Sequence, residues 1–140
     1  MKYFIHGHSG HIQDENAIVA GKPKYLGWGL DFELSPGLET WVHFAVPSIG
    51  GGSHGVRYVQ LDLKTGSADA WVTDVHVYDG EVRFQTLQGK WKALTTLDFG
   101  RVWTIHGALG ISVRCVRGVE NMSHRFQFLS VSADFVEVPT

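Results

Sequence analysis

Apolar and polar residues alternate along most of this chain, most clearly on either side of Asp79-Gly80. Aspartate followed by glycine between two alternating runs predicts a β-hairpin with a two-residue loop, because both residues tolerate positive φ. In the register that this loop implies, Val75 faces Phe84 and Val77 faces Val82, so one face of the hairpin is apolar. The opposite face carries six polar side chains: Asp74, His76, Tyr78, Glu81, Arg83 and Gln85.

The run from Trp41 to Val46 repeats the alternation. Successive side chains of a strand point to opposite faces, so Val42 and Phe44 share one face while Trp41 and His43 share the other. A strand is therefore predicted here. We expect its apolar side to face a core and its other side to carry an aromatic ring and an imidazole.

In the last part of the chain, the alternation of apolar and polar positions shifts by one residue. Two strands are predicted, from His124 to Phe128 and from Leu129 to Val138, and the apolar positions switch parity between them. One extra residue in a strand produces such a switch, which predicts a β-bulge near residue 128. About nine or ten short strands, with no helical periodicity, indicate an all-β fold: an antiparallel β-sandwich or jelly roll that forms a single domain over residues 1–140.

Composition supports this fold class and argues against one class of binding partner. Seventeen glycines and 12% aromatic residues favour short strands and tight turns, and the formal charge is only −2. The charges are scattered and form no basic stripe, so nucleic acid is a poor partner for this chain. No apolar run approaches the length of a membrane span, and the start of the chain turns polar too quickly for a signal peptide. We expect cytoplasmic residence, with leaderless export as the alternative.

Cys115 is the single cysteine of the chain, so no intrachain disulfide can form. It lies on the apolar side of the alternation in Ile111–Cys115. A small buried hydrophobic residue is therefore expected at this position rather than a reactive thiol.

Three histidines near the start suggest metal chemistry. A period of two places His6 and His8 on one face of the first predicted strand, and a turn would return His11 to the same place. Three imidazoles are a suitable ligand set for Zn²⁺ or Cu²⁺. The cupin pattern would add a glutamate shortly afterwards, but Ile12 and Gln13 stand there. Histidines without a metal are the more economical reading, so no cofactor is predicted apart from this candidate divalent-metal site.

The aromatic residues suggest a ligand surface instead. Five tryptophans are many for 140 residues. An indole ring offers a flat apolar face to the C–H surface of a sugar, while neighbouring polar groups bind its hydroxyls. A predicted flexible loop over residues 47–55, with three consecutive glycines and His54, is the other candidate binding element. We predict a non-catalytic module that binds a small molecule or glycan, with carbohydrate as the leading ligand class, through six residues: Trp28, Trp41, His43, His54, His76 and Tyr78.

Two other functions stay open on the sequence alone. One is a small enzyme that uses either the three histidines with a metal or the Asp74, His76 and Tyr78 face for acid–base chemistry. No serine or cysteine stands in a recognisable nucleophile motif, so no catalytic residue is assigned. The other is a structural domain that associates into a homo-oligomer through its aromatic patches.

Several short motifs, in this order, resemble a family of small uncharacterised microbial all-β proteins. They are Gly27-Trp28-Gly29, Trp41-Val-His-Phe44 with Pro47, Val75-His-Val-Tyr-Asp-Gly80, Gly110-Ile-Ser-Val113 and Ser132-Ala-Asp-Phe135. The motifs span nearly the whole chain. The resemblance implies a compact β domain, and it brings no established activity with it.

Overall fold

A computed structural model describes residues 1–19, 23–66, 69–118 and 125–139, with the exception of the His8 side chain. His124, with which one predicted strand begins, lies outside the described residues. Within those ranges the backbone forms eleven strands and two single-turn 3₁₀ helices, at Gly7–Ser9 and Glu15–Ala17. The strands are β1 (Lys2–His6), β2 (His11–Ile12), β3 (Lys24–Leu26), β4 (Gly29–Glu33), β5 (Glu39–Ala45), β6 (His54–Thr65), β7 (Ala70–Asp79), β8 (Val82–Trp91), β9 (Thr95–Ile105), β10 (Leu109–Arg117) and β11 (Arg125–Glu137).

The strands form two antiparallel sheets, which confirms the predicted sandwich. One sheet has the order β3-β4-β11-β6-β9, with β1 also paired to β11, and the other has the order β2-β5-β10-β7-β8. The count exceeds the predicted nine or ten because β2 and β3 have only two and three residues. No helix among the described residues is long and apolar enough to cross a membrane.

Strand β11 organises the six-stranded sheet. One of its edges pairs with β6, and the other is shared by β4, which pairs over Arg125–Phe128, and β1, which pairs over Ser130–Asp134. The register shifts between Phe128 and Ser130, so Leu129 is the extra residue of a bulge. This confirms the bulge predicted near residue 128.

Two glycines allow the chain to approach this bulge closely. A Cβ on Gly7 would lie 1.7 Å from the carbonyl oxygen of Phe128, and a Cβ on Gly29 would lie 2.2 Å from the same oxygen. Only glycine fits where two backbones come this close. The chain then leaves β1 through Gly7–Ser9, passes Gly10 against the ring of Phe44, and enters the second sheet at β2.

The space between the sheets is filled by the apolar side of each strand. Val42 and Phe44 of β5 are buried, as the alternation predicted, and the Phe32 and Phe126 rings stack with centroids 5.3 Å apart. Fully burying each such side chain stabilises the fold by about 1.5–3 kcal/mol. Cys115 is completely buried, as predicted, and burial raises the pKa of its thiol well above the ordinary value.

The predicted hairpin exists, but its register differs from the prediction. Asp79 pairs with Val82, so the loop is Gly80-Glu81 rather than Asp79-Gly80, and a second shift between Val77 and Tyr78 leaves Phe84 without a partner in the β7–β8 ladder. Val82 is consequently exposed and does not reach the core. The Asp79 carboxylate provides the physical reason: it accepts hydrogen bonds from the backbone N–H groups of His106 and Gly107, at 2.9 and 2.7 Å, which holds Asp79 in the strand.

Candidate functional site

The outward side of the five-stranded sheet brings together four of the six predicted ligand residues. The Trp41 and His76 rings lie 4.6 Å apart, and the His76 and Tyr78 rings lie 6.4 Å apart. His43 lies on the same outward face, next to Trp41 along β5. We call this surface the aromatic platform: Trp41, His43, His76 and Tyr78.

The platform exists because small residues lie between its two rows of rings. Trp41 and His43 belong to β5 and His76 and Tyr78 to β7, and these strands are separated by β10. Ser112 of β10 is opposite both His43 and His76 in the register. Gly110 is opposite Tyr78. Trp41 itself is opposite Arg114, and its ring reaches the His76 ring diagonally across the small Ser112.

The imidazole of His43 is held at both nitrogens. Its Nδ1 lies 2.7 Å from the Ser112 hydroxyl, and its Nε2 lies 2.8 Å from the Gln13 side-chain oxygen. A carbonyl-type oxygen only accepts, so Nε2 carries the proton and Nδ1 accepts from Ser112. This arrangement suits the neutral imidazole. Burial, and then the charge of His11, lower the pKa of His43, while Asp14 acts in the opposite direction.

The pKa of His76 is lowered as well. Burial lowers its pKa, as does Arg83, whose guanidinium lies 3.3 Å from Nδ1, while Asp74 raises it. Both platform imidazoles therefore favour the neutral form near pH 7. A neutral aromatic surface is better suited to a sugar ring than to a strongly charged ligand.

The lowered histidine pKa values predict acid sensitivity of the fold. The unfolded chain takes up protons on His43 near its ordinary pKa of 6.5, whereas the folded chain does so only at lower pH. The free energy of unfolding should therefore be fully retained above pH 6.5 and fall as pH drops below it. In urea unfolding at about pH 7.5 and about pH 5.5, we expect His43→Gln to lose less stability than the wild type. Equal losses of unfolding free energy in the two proteins would contradict a lowered pKa of His43 in the folded state.

A charged network borders the platform. Arg114 of β10 donates to Asp74 at 3.1 Å and to Glu39 on the far side. Burial would raise the pKa of Asp74, but hydrogen bonds from Thr73 and Arg114 lower it overall. Asp74 therefore stays ionised and is bonded to Arg114, so the predicted acid–base set of Asp74, His76 and Tyr78 lacks a carboxylate that is free to exchange a proton with His76.

The chain of hydrogen bonds from Ser112 through His43 to Gln13 has the order of a nucleophile, a base and an orienting group. Ser112, however, lies in the middle of β10, which forms ladders with β5 on one edge and β7 on the other. The backbone N–H groups of such a strand are committed to its neighbours, so within the described residues none beside Ser112 is available for an oxyanion. The geometry supports a positioning role for Ser112, which holds the His43 imidazole.

The other two predicted ligand residues lie on the opposite sheet. Trp28 occupies the two-residue turn between β3 and β4 and is 43% exposed. His54 begins β6, and its Nδ1 lies 2.8 Å from the Ser53 hydroxyl. The structure therefore does not bring Trp28 or His54 to the platform.

The glycine-rich loop packs against the end of β9 through backbone hydrogen bonds. Gly51 and Gly52 donate backbone hydrogen bonds to the carbonyl oxygens of His106 and Ile105, at 2.9 and 3.0 Å. A Cβ on Gly50 would lie 2.5 Å from the carbonyl oxygen of Gly107. The glycines serve close backbone packing here, and the flexibility of the loop stays a prediction.

Two of the candidate metal ligands, His6 and His11, lie in different sheets. His6 lies at the end of β1, opposite Ser130, whereas His11 lies in β2, opposite His43. Among the side chains that the structure describes, no group of three histidine, cysteine, aspartate or glutamate residues is arranged to hold a metal ion. The His8 side chain lies outside the description, so the three-histidine site stays a prediction.

Several residues that shape the platform were not predicted. Gln13, Ser112 and Gly110 each act through a strand distant in sequence from Trp41 and His76. The alternation within β10 would have placed Gly110 and Ser112 on its outward side. It carries no information about which strands lie beside them.

No protein-family model matches the chain, and no curated protein matches it significantly. Solved structures do share its fold. The low-affinity xylan-binding module CBM86 from Roseburia intestinalis superposes with a TM-score of 0.59 at 14% identity, over 97% of this chain and 96% of that one. The CBM36-1 domain of a multidomain xylanase from the hindgut metagenome of Trinervitermes trinervoides superposes with a TM-score of 0.50 at 12% identity, over 99% of this chain and 100% of that one.

A third similar structure is the carbohydrate-binding module CBM36 in complex with calcium and xylotriose, with a TM-score of 0.50, 12% identity and coverage of 95% and 98%. The chain has the β-sandwich fold of carbohydrate-binding modules. At these identities the likeness concerns the path of the backbone, and the arrangement of side chains on the platform has to be read from this chain itself.

Proposed function

We propose that the protein is a non-catalytic glycan-binding module whose ligand lies across the aromatic platform. The observation that carries the proposal is the contact between Trp41 and His76 above the small residues of β10, which continues into Tyr78. The Trp41 and His76 ring planes are inclined by 43° and the His76 and Tyr78 planes by 62°, so the rings form an extended but uneven aromatic surface. The C–H face of a sugar can stack on the individual rings of such a surface.

Polar groups at the rim of the platform supply the second requirement for a sugar site. Gln13 and Arg83 are exposed at opposite sides of it, and Tyr78 is half-buried. Their amide, guanidinium and hydroxyl groups are suited to hydrogen bonds with ring hydroxyls. The surface is shallow, so we expect weak binding to internal segments of a polysaccharide rather than enclosure of a chain end.

The similar structures favour the same function. Two of them are modules whose names specify carbohydrate binding, one for xylan and one in complex with xylotriose. Xylan-type chains are therefore the first probes to use. The resemblance of the short motifs to an uncharacterised all-β family, the three-histidine metal site and the homo-oligomer remain hypotheses beside this proposal.

A glycan array probed with untagged protein, with and without a chelator, tests the proposal. We expect binding to one or more β-linked polysaccharide fragments that is the same in both conditions, because the platform side chains bind sugar through ring faces and hydrogen bonds. Binding lost on chelation would instead support a metal-dependent lectin using His6, His8 and His11. Absence of binding in both conditions would contradict the proposal.

A further inference from the structure

A depression lies on the outward side of the other sheet, where β1, β11, β6 and β9 run side by side. Its volume is about 300 Å³, at the lower end of the range for small-molecule sites. It is on the opposite face of the sandwich from the aromatic platform and shares no residue with it. Seven residues line it: Lys2, Tyr58, Val59, Gln60, Thr96, Ser132 and Asp134.

The floor of the depression consists of short polar side chains. Ser132 is 1% exposed and is opposite Phe4 on one side and Gln60 on the other. Gln60 donates to the Thr96 hydroxyl at 3.3 Å. Long charged side chains usually lie along the solvent face of a sheet. Their replacement here by a buried serine and an amide–hydroxyl pair leaves an open space with the Gln60 and Thr96 side chains at its base.

Two exposed aromatic rings flank this floor. Tyr58 lines the depression and is 41% exposed, and Phe4, opposite Ser132, is 57% exposed. Phe4 and Tyr58 belong to β1 and β6, which lie on either side of β11, so their strands are about 10 Å apart. That separation leaves room for one six-membered ring above Ser132. One face of each ring is covered by a neighbouring cation, Phe4 by Lys2 at 5.6 Å and Tyr58 by Arg57 at 5.3 Å from the ring centroid, so the opposite face of each ring is the one available to a sugar.

The charge of the depression points to a neutral occupant. The lining side chains include one cation, Lys2, and one anion, Asp134. Asp134 is paired with the N-terminal ammonium group at 3.2 Å, and Arg57, next to Tyr58, is paired with Asp98 at 3.1 Å. A site for a phosphate, a uronate or a nucleotide would need several cations. Among the described residues Lys2 is the one cation of the lining, so the hydroxyl and amide groups suit an uncharged polyol.

We propose that this depression is a second binding site, for a single uncharged sugar ring held between Phe4 and Tyr58 above Ser132. The inference takes its ligand class from the proposed function. It adds a site on the opposite sheet, so that one domain binds two segments of polysaccharide at once. Two sites facing in opposite directions would cross-link separate chains, which a single-site module cannot do.

Calorimetric titration with xylohexaose, cellohexaose and mannohexaose tests the second site. With the probe that binds, we expect a stoichiometry of two for the wild type. We expect one for Phe4→Ala/Tyr58→Ala, with the platform affinity retained. Tyr25→Ala is the matched control, because Tyr25 is 51% exposed in the same sheet and lies outside the depression, and it should keep a stoichiometry of two.

The outcomes separate the two proposals. If Phe4→Ala/Tyr58→Ala keeps the wild-type stoichiometry and affinity, the second site is refuted and the platform stands. If Trp41→Ala/His76→Ala binds none of the three probes, the second site is likewise refuted. If binding survives Trp41→Ala/His76→Ala unchanged and is lost in Phe4→Ala/Tyr58→Ala, the platform is refuted and the second site stands. Turbidity of soluble xylan on addition of wild-type protein, absent with either double variant, would confirm two sites per domain.

Discussion

Replacement of Trp41 by alanine should weaken glycan binding by about 30-fold or more, which corresponds to about 2 kcal/mol. Trp41 supplies the largest ring of the platform and supports His76 through the 4.6 Å contact between their centroids. Its replacement therefore removes the indole face on which a sugar would stack, and it also removes the contact that supports the His76 ring. Affinity electrophoresis in soluble xylan, or in the polysaccharide that the array selects, measures the loss directly.

Trp28→Ala is the matched control for this prediction. Trp28 is 43% exposed in the turn between β3 and β4, on the sheet that the platform does not use. The same substitution there should leave affinity within about twofold of the wild type. Trp41 is only half-buried, so both variants should keep the far-ultraviolet circular dichroism of the wild type. Equal loss of binding in the two variants, with both folded, would contradict the platform.

Gly7→Ala should have the largest effect on stability of any single methyl addition in the described chain, at about 3 kcal/mol or more. The new Cβ would lie 1.7 Å from the carbonyl oxygen of Phe128, and that oxygen belongs to the backbone of β11. Relief requires β1 and its following turn to move away from the bulge at Leu129. The loss should appear as a lower urea midpoint or as absence of soluble protein.

Gly27→Ala offers the corresponding control. No heavy atom outside its chain neighbours lies within 4 Å of a Cβ built on Gly27. Its unfolding free energy should stay within about 0.5 kcal/mol of the wild type. A stable, soluble Gly7→Ala protein with an unchanged midpoint would show that the chain does not pass this close to β11.

Local patterns in the sequence predicted the elements of this fold well. The alternation from Trp41 to Val46 placed Val42 and Phe44 inward and Trp41 and His43 outward, as the structure has them. The parity change around Leu129 identified the bulge in β11. Both features are determined by neighbouring residues in one strand, which is the information that a period of two contains.

Features that depend on distant residues were missed. The loop of the central hairpin slipped by one residue because the Asp79 carboxylate binds the backbone of His106 and Gly107, which lie in another part of the sequence. Trp41 and His76 meet only because β10, the tenth strand, inserts between β5 and β7. Strand order is a property of the whole chain, and no pattern within β5 or β7 encodes it.

The depression beside Tyr58 could be predicted only in part from the sequence. The strand that puts Val59, Leu61 and Leu63 into the core must put Tyr58 and Gln60 on its solvent side. An exposed tyrosine was therefore predictable. Its neighbours Ser132 and Lys2 come from β11 and β1, at the two ends of the chain, so their approach to Tyr58 could not be predicted.

Two-dimensional NMR of isotope-labelled protein, titrated with xylohexaose or with the fragment that the array selects, shows which surface the glycan contacts. We expect saturable shifts of the Trp41 indole N–H and of the backbone amides of His43, His76 and Tyr78. The amides of Gly51 and Gly52, which donate to the carbonyl oxygens of His106 and Ile105, should stay unchanged. Shifts confined to these two glycines and to the turn around Gly80, with the Trp41 signal unmoved, would contradict the platform as the glycan site.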